Sequence, residues 1–375
     1  MTNKLGEVSF LKGLAIICVI LVHSPQKIPN INYFIEQLMR LGRWGCQLFY
    51  VLSGYLLYLG YRNNNDWRTY YKKRIVSLYP QWIIAILIYS AYFYISSVNR
   101  WGLFYEFRMD PKSILINIFM LNGLDPYSFN YVVPGGWYVG TQWLLYLLFP
   151  VLIYIFAIFG QSGGAKKLSI NRGIITILTV GVLWTQISIR MVTKNPDITK
   201  LGSFVHYSIL NQLPCFLIGI YLGMVYTQKG FDEYSDRVIL CRFVILYFVA
   251  TFVFYIGKLI PCAYVFVPTA YGISFYYLII LVFLKFDTIK NYRCIKICQK
   301  FGDYSYEVYY VNFIFTMMIP CALVTKFKWI NGTFWYLVLL IPMIVMTFLG
   351  GKAYFLVLNP IKNVLRTQCE LSRNN

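Results

Sequence analysis

Ten stretches of mostly apolar residues run through the chain, separated by short polar segments. A helix that crosses a bilayer needs about 20 predominantly apolar residues, so this repetition predicts an all-α polytopic membrane protein. A soluble protein of this size would have roughly a quarter of its residues charged, whereas 13% are charged here and the mean hydropathy is +0.57. The predicted spans are Lys12–His23, Trp44–Tyr61, Tyr79–Val98, Trp137–Gly160, Gly173–Ile189, Phe204–Tyr226, Val238–Gly257, Cys262–Leu284, Tyr304–Val324 and Trp329–Gly351.

The short first run and one further apolar segment need separate treatment. His23–Gln26, which follows the first run, lacks the small residues of a signal-peptide cleavage site, so we expect this run to be retained. Ser113–Leu124 is apolar but too short to cross a bilayer, and it predicts a re-entrant or interfacial piece. We therefore expect one membrane domain over residues 1–375, with no separate soluble domain.

The distribution of charge predicts the orientation. A net charge of +20 would point to nucleic acid in a soluble protein, but the basic residues here sit between apolar runs, which argues against that partner. With ten spans and both termini inside, the inner segments hold 22 of the 34 lysines and arginines, chiefly within Arg62–Arg74 and Lys285–Lys300. This bias predicts cytoplasmic termini. The nine cysteines lie mostly in apolar runs and only two histidines are present, so we expect no metal site.

Two ionisable side chains in the first span are candidates for chemistry. Lys12 and His23 are 11 residues apart, which places them on one helix face and about 16 Å apart along its axis. An ionisable group in a span is costly and therefore a functional candidate, and imidazole can accept a proton at neutral pH. The simpler alternatives are a lysine at the inner boundary and a histidine that contacts water at the outer helix end. His206 has no basic residue at helical spacing and is interpreted as structural.

Two further segments are candidate binding sites. Five basic residues within Arg62–Arg74 precede the third span and would attract phosphates, although such a run also serves topology alone. Pro134–Tyr138 breaks the chain directly before an apolar helix, and at membrane depth a break is tolerated where it lines a cavity. The helix start offers free amides and partial positive charge. Gln142 lies one and a half turns further on, with an interhelical hydrogen bond as its alternative role.

Six segments, taken in order, resemble one known family. Lys12 to His23 is similar to a first-helix motif in which an Arg and a His are separated by ten residues, and Gly45–Leu56 to the more specific signature G-x-x-x-F-F-V-L-S-G-F-L. Together the six segments resemble the membrane acyltransferase-3 family, integral acyltransferases that modify bacterial surface glycans. The other four are Lys73–Pro80 (R-x-x-R-I-x-P), Trp137–Tyr146 (W-S-L-x-x-E-x-x-F-Y), Leu213–Gly223 (F-x-x-G-x-x-x-G) and Gly302–Tyr310 (G-x-x-S-Y-x-x-Y-L).

The chain departs from the family pattern at four positions. Lys12 and Ser77 replace arginines, Gln142 replaces a glutamate, and Asn312 stands where a histidine often follows the tyrosine pair. Lys12 keeps the charge of arginine without its bidentate geometry. Gln142 is unable to act as a carboxylate, which leaves a catalytically impaired member as an alternative. His23 matches the family motif.

The resemblance implies transfer of an acyl group, most often acetyl, from cytosolic acyl-CoA to a hydroxyl of a cell-surface or lipid-linked glycan. Acetyl-CoA would be a co-substrate rather than a bound cofactor, and the chain would lie in the bacterial inner membrane. His23 would serve as base or acyl relay, and polar groups such as Gln142 or helix amides would stabilise the oxyanion. Lys12, Lys73 and Arg74 would bind the donor. The expected acceptor and cavity residues are Trp137, Tyr138, Ser53, Tyr146, Tyr309 and Asn312.

Two other classes of function are compatible with the sequence. Membrane proteins with broken helices and polar residues in their spans include transporters, so glycan export is the main alternative. The paired interrupted helices of internal repeats would favour it, and none is evident. A purely structural membrane partner is the third class, in which neither acetylation nor export would depend on His23.

Overall fold

The computed structural model of the protein describes residues 4–63, 66–98, 107–160, 183, 198–231, 235–259 and 266–374. Within them the regular elements are helices, and eight candidate spans are long and apolar enough to cross a membrane, which confirms an all-α polytopic fold. The helices are α1 Lys4–His23, α2 Tyr33–Arg40, α3 Gly45–Tyr61, α4 Trp67–Val98, α5 Pro111–Ile118, α6 Gly136–Gly160, α7 Ile198–Tyr207, α8 Ile209–Lys229, α9 Asp236–Leu259, α10 Val267–Ile289, α11 Arg293–Asp303, α12 Ser305–Phe313, α13 Ile319–Lys326 and α14 Gly332–Asn374.

Nine of the ten predicted spans coincide with helices of this bundle. The remaining one, Gly173–Ile189, lies outside the described residues except for Leu183. The number of spans and the side on which the termini lie therefore stay predictions. Ser113–Leu124 forms the eight-residue helix α5 and a short 3-10 turn at Asn122–Leu124, which is too short to cross a bilayer, as expected.

Several helices extend beyond the predicted spans into segments that were expected to be loops. Arg68–Arg74 lies within α4, because Trp67, Tyr70 and Tyr71 form an aromatic face there that packs against α6. Lys285–Lys300 lies mostly within α10 and α11, and α14 continues for 23 residues past Gly351. Aromatic packing and continued helical hydrogen bonding thus make these basic segments helical, where loops were expected.

Glycines bring pairs of helices into backbone contact. A methyl group on Gly54 of α3 would overlap the Phe216 carbonyl oxygen, and one on Gly219 of α8 would overlap that of Val51. The two family-like segments on α3 and α8 are therefore the two sides of one interface. The same holds for α1 and α11, where Gly13 lies against the Cys298 carbonyl and Gly302 against that of Ser9. Small residues allow such close approach between membrane helices.

We predict that Gly54→Ala destabilises the protein by about 1–3 kcal/mol, because the added methyl group forces α3 away from α8. Gly60 on the same helix is the matched control, since no described atom beyond its chain neighbours and the adjacent turns of its own helix lies within 4 Å of the position that a Cβ would occupy there. Gly60→Ala should stabilise α3 by about 0.5–1 kcal/mol. Thermal unfolding of the purified protein in detergent measures both effects, and a Gly54→Ala protein as stable as the Gly60→Ala protein would contradict the interface.

Candidate functional site

One face of α6 carries a row of buried polar side chains. Tyr138, Gln142 and Tyr146 are four residues apart, so successive members lie about 6 Å apart along the helix axis. All three are buried, and Tyr138 is nearest the start of α6. The row runs through the interior of the bundle along the helix axis.

Two tyrosines of α12 face this row. The hydroxyl oxygens of Tyr146 and Tyr306 lie 3.1 Å apart, and the ring centroids of Tyr138 and Tyr309 lie 5.0 Å apart. Gln142 therefore lies between two tyrosine pairs in the direction of the helix axis. We call Tyr138, Gln142, Tyr146, Tyr306 and Tyr309 the polar column.

Gln142 is the least satisfied member of the polar column. Its side chain is fully buried, and neither Nε2 nor Oε1 has a hydrogen-bond partner within the part of the chain that the structure describes. By contrast, Gln47 of α3 donates to Gln212 of α8 at 3.0 Å. Among the described residues, Gln142 makes no interhelical bond of this kind, although such a bond was its alternative role. A buried polar group without a partner costs about 1–3 kcal/mol, so Gln142 is a candidate for contact with a ligand.

Arg74 lies at one end of the polar column, which we call the Arg74 end. Its guanidinium carbon is 5.6 Å from the centroid of the Tyr146 ring and 5.9 Å from that of Tyr70, and Nε is buried without a hydrogen-bond partner among the described residues. The Tyr70 hydroxyl donates to the Tyr146 carbonyl at 2.9 Å. That carbonyl is available because Pro150, four residues later, has no N–H to bond it.

Lys12 joins Arg74 at this end. It lies within electrostatic range of Arg74, Asp303 and Glu307, so two cations and two carboxylates share one region. Lys73 differs, because its side chain is on the exposed face of α4. Of the three predicted donor-binding residues, the fold thus brings Lys12 and Arg74 together and turns Lys73 outward.

A buried ion pair connects α12 to α14 near Lys12 and Arg74. Lys362 Nζ donates to Glu307 Oε1 at 3.1 Å, and both side chains are more than 90% buried. Glu307 lies next to Tyr306 in the chain, so the pair also helps to fix the α12 side of the polar column. Neither member was among the predicted site residues.

His23 is the last residue of α1, and Lys12 lies near the middle of this helix, about 16 Å away along the axis. We call this the His23 end. The imidazole packs on Phe313 of α12 with centroids 4.5 Å apart. The next residue, Ser24, is fully buried, and its hydroxyl lies 2.9 Å from that of Tyr336 on α14. The contact with Phe313 and the bond of the neighbouring Ser24 to Tyr336 thus hold the imidazole ring against the bundle.

Gln26 contacts the imidazole directly. Its Nε2 lies 2.9 Å from the Val22 carbonyl oxygen and 3.0 Å from His23 Nδ1. The carbonyl accepts one amide proton, which leaves the second to point at Nδ1. In this arrangement Nδ1 is an acceptor, and the proton of the neutral imidazole is on Nε2.

The break before α6 packs between the polar column and His23. Gly135 has φ 77°, a conformation that favours glycine, and its carbonyl accepts from the Tyr309 hydroxyl at 2.7 Å. A Cβ at Gly135 would lie 2.7 Å from the Phe313 ring. Phe313 therefore contacts His23 on one side and the break on the other.

Two residues outside the predicted site hold the break in place. Asn122 donates to the carbonyls of Phe129 and Gly136 at 3.1 and 3.0 Å, and it is fully buried. Trp82 is also fully buried, donates to the Asn117 carbonyl at 2.6 Å, and lies against Gly136. A break at membrane depth is tolerated when protein groups satisfy its backbone, as these do.

The backbone of the span that begins with α12 becomes irregular directly after Phe313. Residues Ile314–Met318 form a π-helical turn. The Tyr89 hydroxyl donates to the Tyr310 carbonyl at 2.8 Å in the turn before it. Single π turns occur frequently at functional sites, and this one lies beside the residue on which His23 packs.

The remaining predicted residues have mixed positions. Asn312 is fully buried beside Phe313; its Oδ1 accepts from Thr316, and Nδ2 has no partner among the described residues. Trp137 is half-buried and stacks on Tyr207 with centroids 4.1 Å apart, so it lies outside the polar column. Ser53 is half-buried on α3, also outside the column.

The parts of the site that are defined by contacts between distant segments were not predicted. Tyr306, Phe313 and Gln26 belong to the site, yet each is an uncharged side chain in an apolar helix or a loop. Only Tyr306 carried a signal, as the tyrosine of the S-Y-x-x-Y element. His206 is buried against Trp44 and Tyr207 and its carbonyl accepts from Asn211 and Gln212, as suits a structural residue.

Comparison with known proteins identifies the family. A family model described as "Acyltransferase domain" matches residues 5–352. The chain belongs to the acyltransferase-3 family. "Putative acetyltransferase ORF330" of Acidianus two-tailed virus is 26% identical over 149 residues, which are 39% of this chain and 40% of that relative. The match thus spans less than half of either protein. No solved structure matches the chain.

Family membership supports acyltransferase activity in a multi-pass membrane protein. It also confirms the resemblance drawn from the six segments. In this acyltransferase-3 member, the glycines of four of those segments make helix contacts.

We predict that Lys362→Met lowers the free energy of unfolding by about 3–5 kcal/mol, because Glu307 remains buried as an unpaired charge. The double variant Glu307→Gln/Lys362→Met should recover most of this loss, since it leaves no charge. Thermal unfolding in detergent compares the three proteins. Equal stability of the single variant and the parent protein would show that the pair does not hold α12 to α14.

Proposed function

We propose that this protein transfers an acyl group, most simply acetyl, from acyl-CoA to a hydroxyl of a cell-surface or lipid-linked glycan. The observation that carries the proposal is the polar column, which joins the cationic Arg74 end to the region of His23 through the interior of the bundle. An enzyme that takes its donor from one side of a membrane and its acceptor from the other needs such a connection.

In this proposal the Arg74 end faces the cytosol of a bacterium and the chain lies in its inner membrane. Arg74 and Lys12 are suited to the phosphates of coenzyme A, because arginine pairs with phosphate oxygens through several N–H groups and lysine adds charge. Lys73, on the exposed face of α4, would contribute to attraction at longer range. The donor is a co-substrate that leaves after each turnover.

His23 is the proposed acceptor of the proton. The acceptor hydroxyl attacks the thioester carbonyl, a C–O bond forms, the C–S bond breaks, and the hydroxyl proton passes through the imidazole to the departing thiolate. An acyl-histidine relay has the same overall balance: the imidazole first takes the acyl group, releases the thiol, and is then attacked by the hydroxyl. Both routes need a free lone pair on Nε2 and therefore a proton on Nδ1, so the Gln26 amide must first rotate to place its oxygen beside Nδ1.

The negative charge on the carbonyl oxygen requires a donor. The first turn of α6, which adjoins Phe313 and therefore His23, offers the Trp137 amide and the positive end of the helix dipole, whereas the Gly136 and Tyr138 amides already donate to the carbonyls of Val133 and Gly135. Gln142 was the other candidate, but it lies six residues beyond Gly136, about 9 Å further along the axis. The helix start is therefore the better-positioned donor for a carbonyl that reacts beside His23.

Aromatic side chains at the His23 end are suited to an acceptor sugar. Trp137 and Tyr207 form a half-buried stack at the start of α6, and Tyr138 follows on the inner face. Sugars bind to aromatic faces through their apolar C–H surfaces. Trp137, Tyr138 and Tyr309 are therefore the proposed acceptor side of the site, and Asn312 adds a buried amide near Phe313.

The decisive experiment replaces His23 with alanine in the full-length protein. We expect the acetyl increment on the cell-surface glycan to disappear from the mass spectrum while glycan export continues, because the proton acceptor or acyl carrier is lost. His206→Ala is the matched control, since the chain has only two histidines and His206 packs away from the polar column. Loss of export with acetylation retained would favour the transporter, and no change in either would favour a structural partner.

We further predict that the residue at position 26 controls the activity of His23. In the reactive tautomer the Nδ1 proton needs an acceptor, which the oxygen of the rotated Gln26 amide can supply; Gln26→Glu supplies a carboxylate oxygen without that rotation, whereas Gln26→Leu leaves the Nδ1 proton without an acceptor. The Gln26→Glu protein should therefore be at least as active as the parent protein, and the Gln26→Leu protein should be about 10-fold or more less active. Release of free thiol from acetyl-CoA by the purified proteins measures the order, and a Leu variant as active as the parent protein would exclude this control.

A further inference from the structure

The unpaired amide of Gln142 marks a binding position that the proposed reaction leaves unused. The side chain is fully buried, and both of its polar atoms lack partners among the described residues. Tyr138 and Tyr309 lie on one side of it, and Tyr146 and Tyr306 on the other. Gln142 thus lies in the middle of the polar column, with one pair of tyrosines on each side of it along the helix axis.

The chemistry of the amide restricts what can satisfy it. Gln142 offers N–H donors on one atom and an acceptor oxygen on the other. An oxyanion would bond Nε2 and leave Oε1 unpaired beside negative charge. A secondary amide satisfies both at once, because its carbonyl accepts from Nε2 while its N–H donates to Oε1. Leaving either atom buried and unpaired is costly, so the amide is the better match.

The position of Gln142 also suits an amide in the middle of a long ligand, one end of which lies at Arg74 and the other at His23. It is one helical turn, about 6 Å, from Tyr146, over which Arg74 lies, and about 9 Å from the break that adjoins Phe313 and His23. A thioester donor of the coenzyme A type has phosphates at one end, a thioester at the other, and secondary amides in the arm between them. Gln142 occupies the corresponding middle position.

We infer that Gln142 binds a secondary amide in the arm of the thioester donor, through a reciprocal pair of hydrogen bonds. The inference rests on the proposed function and assigns Gln142 to donor specificity instead of oxyanion stabilisation. The glutamate that the family motif has at this position offers two acceptors and no donor when ionised. The glutamine of this chain therefore recognises both halves of an amide, which that carboxylate does not.

The test compares an amide-bearing with an amide-free donor on the full-length protein in lipid nanodiscs. The probes are S-acetylpantetheine, which has both amides of the donor arm, and S-ethyl thioacetate, and the readout is release of free thiol with the parent protein, Gln142→Met and Gln142→Glu. The kcat/KM ratio of the amide-bearing to the amide-free donor should fall about 10-fold to 100-fold in Gln142→Met, mostly through KM, and by less in Gln142→Glu. Thermal unfolding of each variant confirms that it is folded.

Competition provides a second measurement that does not need turnover of the amide-free donor. S-ethylpantetheine, a thioether that has the amides but neither phosphates nor a free thiol, should inhibit the parent protein with acetyl-CoA as donor, and its inhibition constant should rise about 10-fold or more in Gln142→Met. A donor ratio or inhibition constant that stays the same, or an equal fall in kcat for both donors, would overturn the inference. Loss of all thiol release in His23→Ala tests the proposed function separately, because that result does not depend on Gln142.

Discussion

The hydrogen bond from the Tyr309 hydroxyl to the Gly135 carbonyl connects the two halves of the site. A backbone break inside a membrane protein is stable only when protein groups replace the missing helical hydrogen bonds. Tyr309 donates to the carbonyl of Gly135, which also accepts from the Tyr138 N–H at 3.2 Å, and Asn122 donates to the carbonyl of Gly136, so both carbonyls at the break have protein partners. Because α6 begins at this break, the same bonds determine which face of α6 meets α12. The alignment of Gln142 between the tyrosine pairs, and the packing of Phe313 between the break and His23, follow from that placement.

Tyrosine hydroxyls repeat this function elsewhere in the bundle. Tyr70 donates to the carbonyl that Pro150 leaves unpaired, and Tyr89 donates to the Tyr310 carbonyl beside the π turn. An aromatic ring tolerates the apolar interior, while its hydroxyl reaches a carbonyl that water would otherwise bond. The 34 tyrosines of the sequence therefore include internal donors that hold irregular helices together, besides those expected in an interfacial belt.

Sequence patterns predicted the elements whose signals are local. The apolar runs gave the helices of the bundle, and the spacing of Lys12 and His23 placed them toward opposite ends of α1. The Gly135 break and the neighbouring Gln142 were also recognisable, because a break before an apolar helix is unusual. The start of α4 was not predicted, since basic residues at a membrane boundary are compatible with either loop or helix, and only the packing of Tyr70 and Tyr71 on α6 decides between them. Likewise, Gln26 and Phe313 become site residues through contacts with His23 that no spacing in the sequence encodes.

One long helix spans both ends of the site. Tyr336 of α14 is bonded to Ser24 next to His23, and Lys362 of the same helix is paired with Glu307 near Arg74. These attachments are 26 residues apart, about 39 Å along a helix that contains Pro342 and Pro360 between them. The angle between these two side chains about the α14 axis therefore depends on the number of residues between them. Inserting a single residue would rotate one attachment by about 100° relative to the other, so α14 tolerates exchange of its lipid-facing side chains far better than any change in its length.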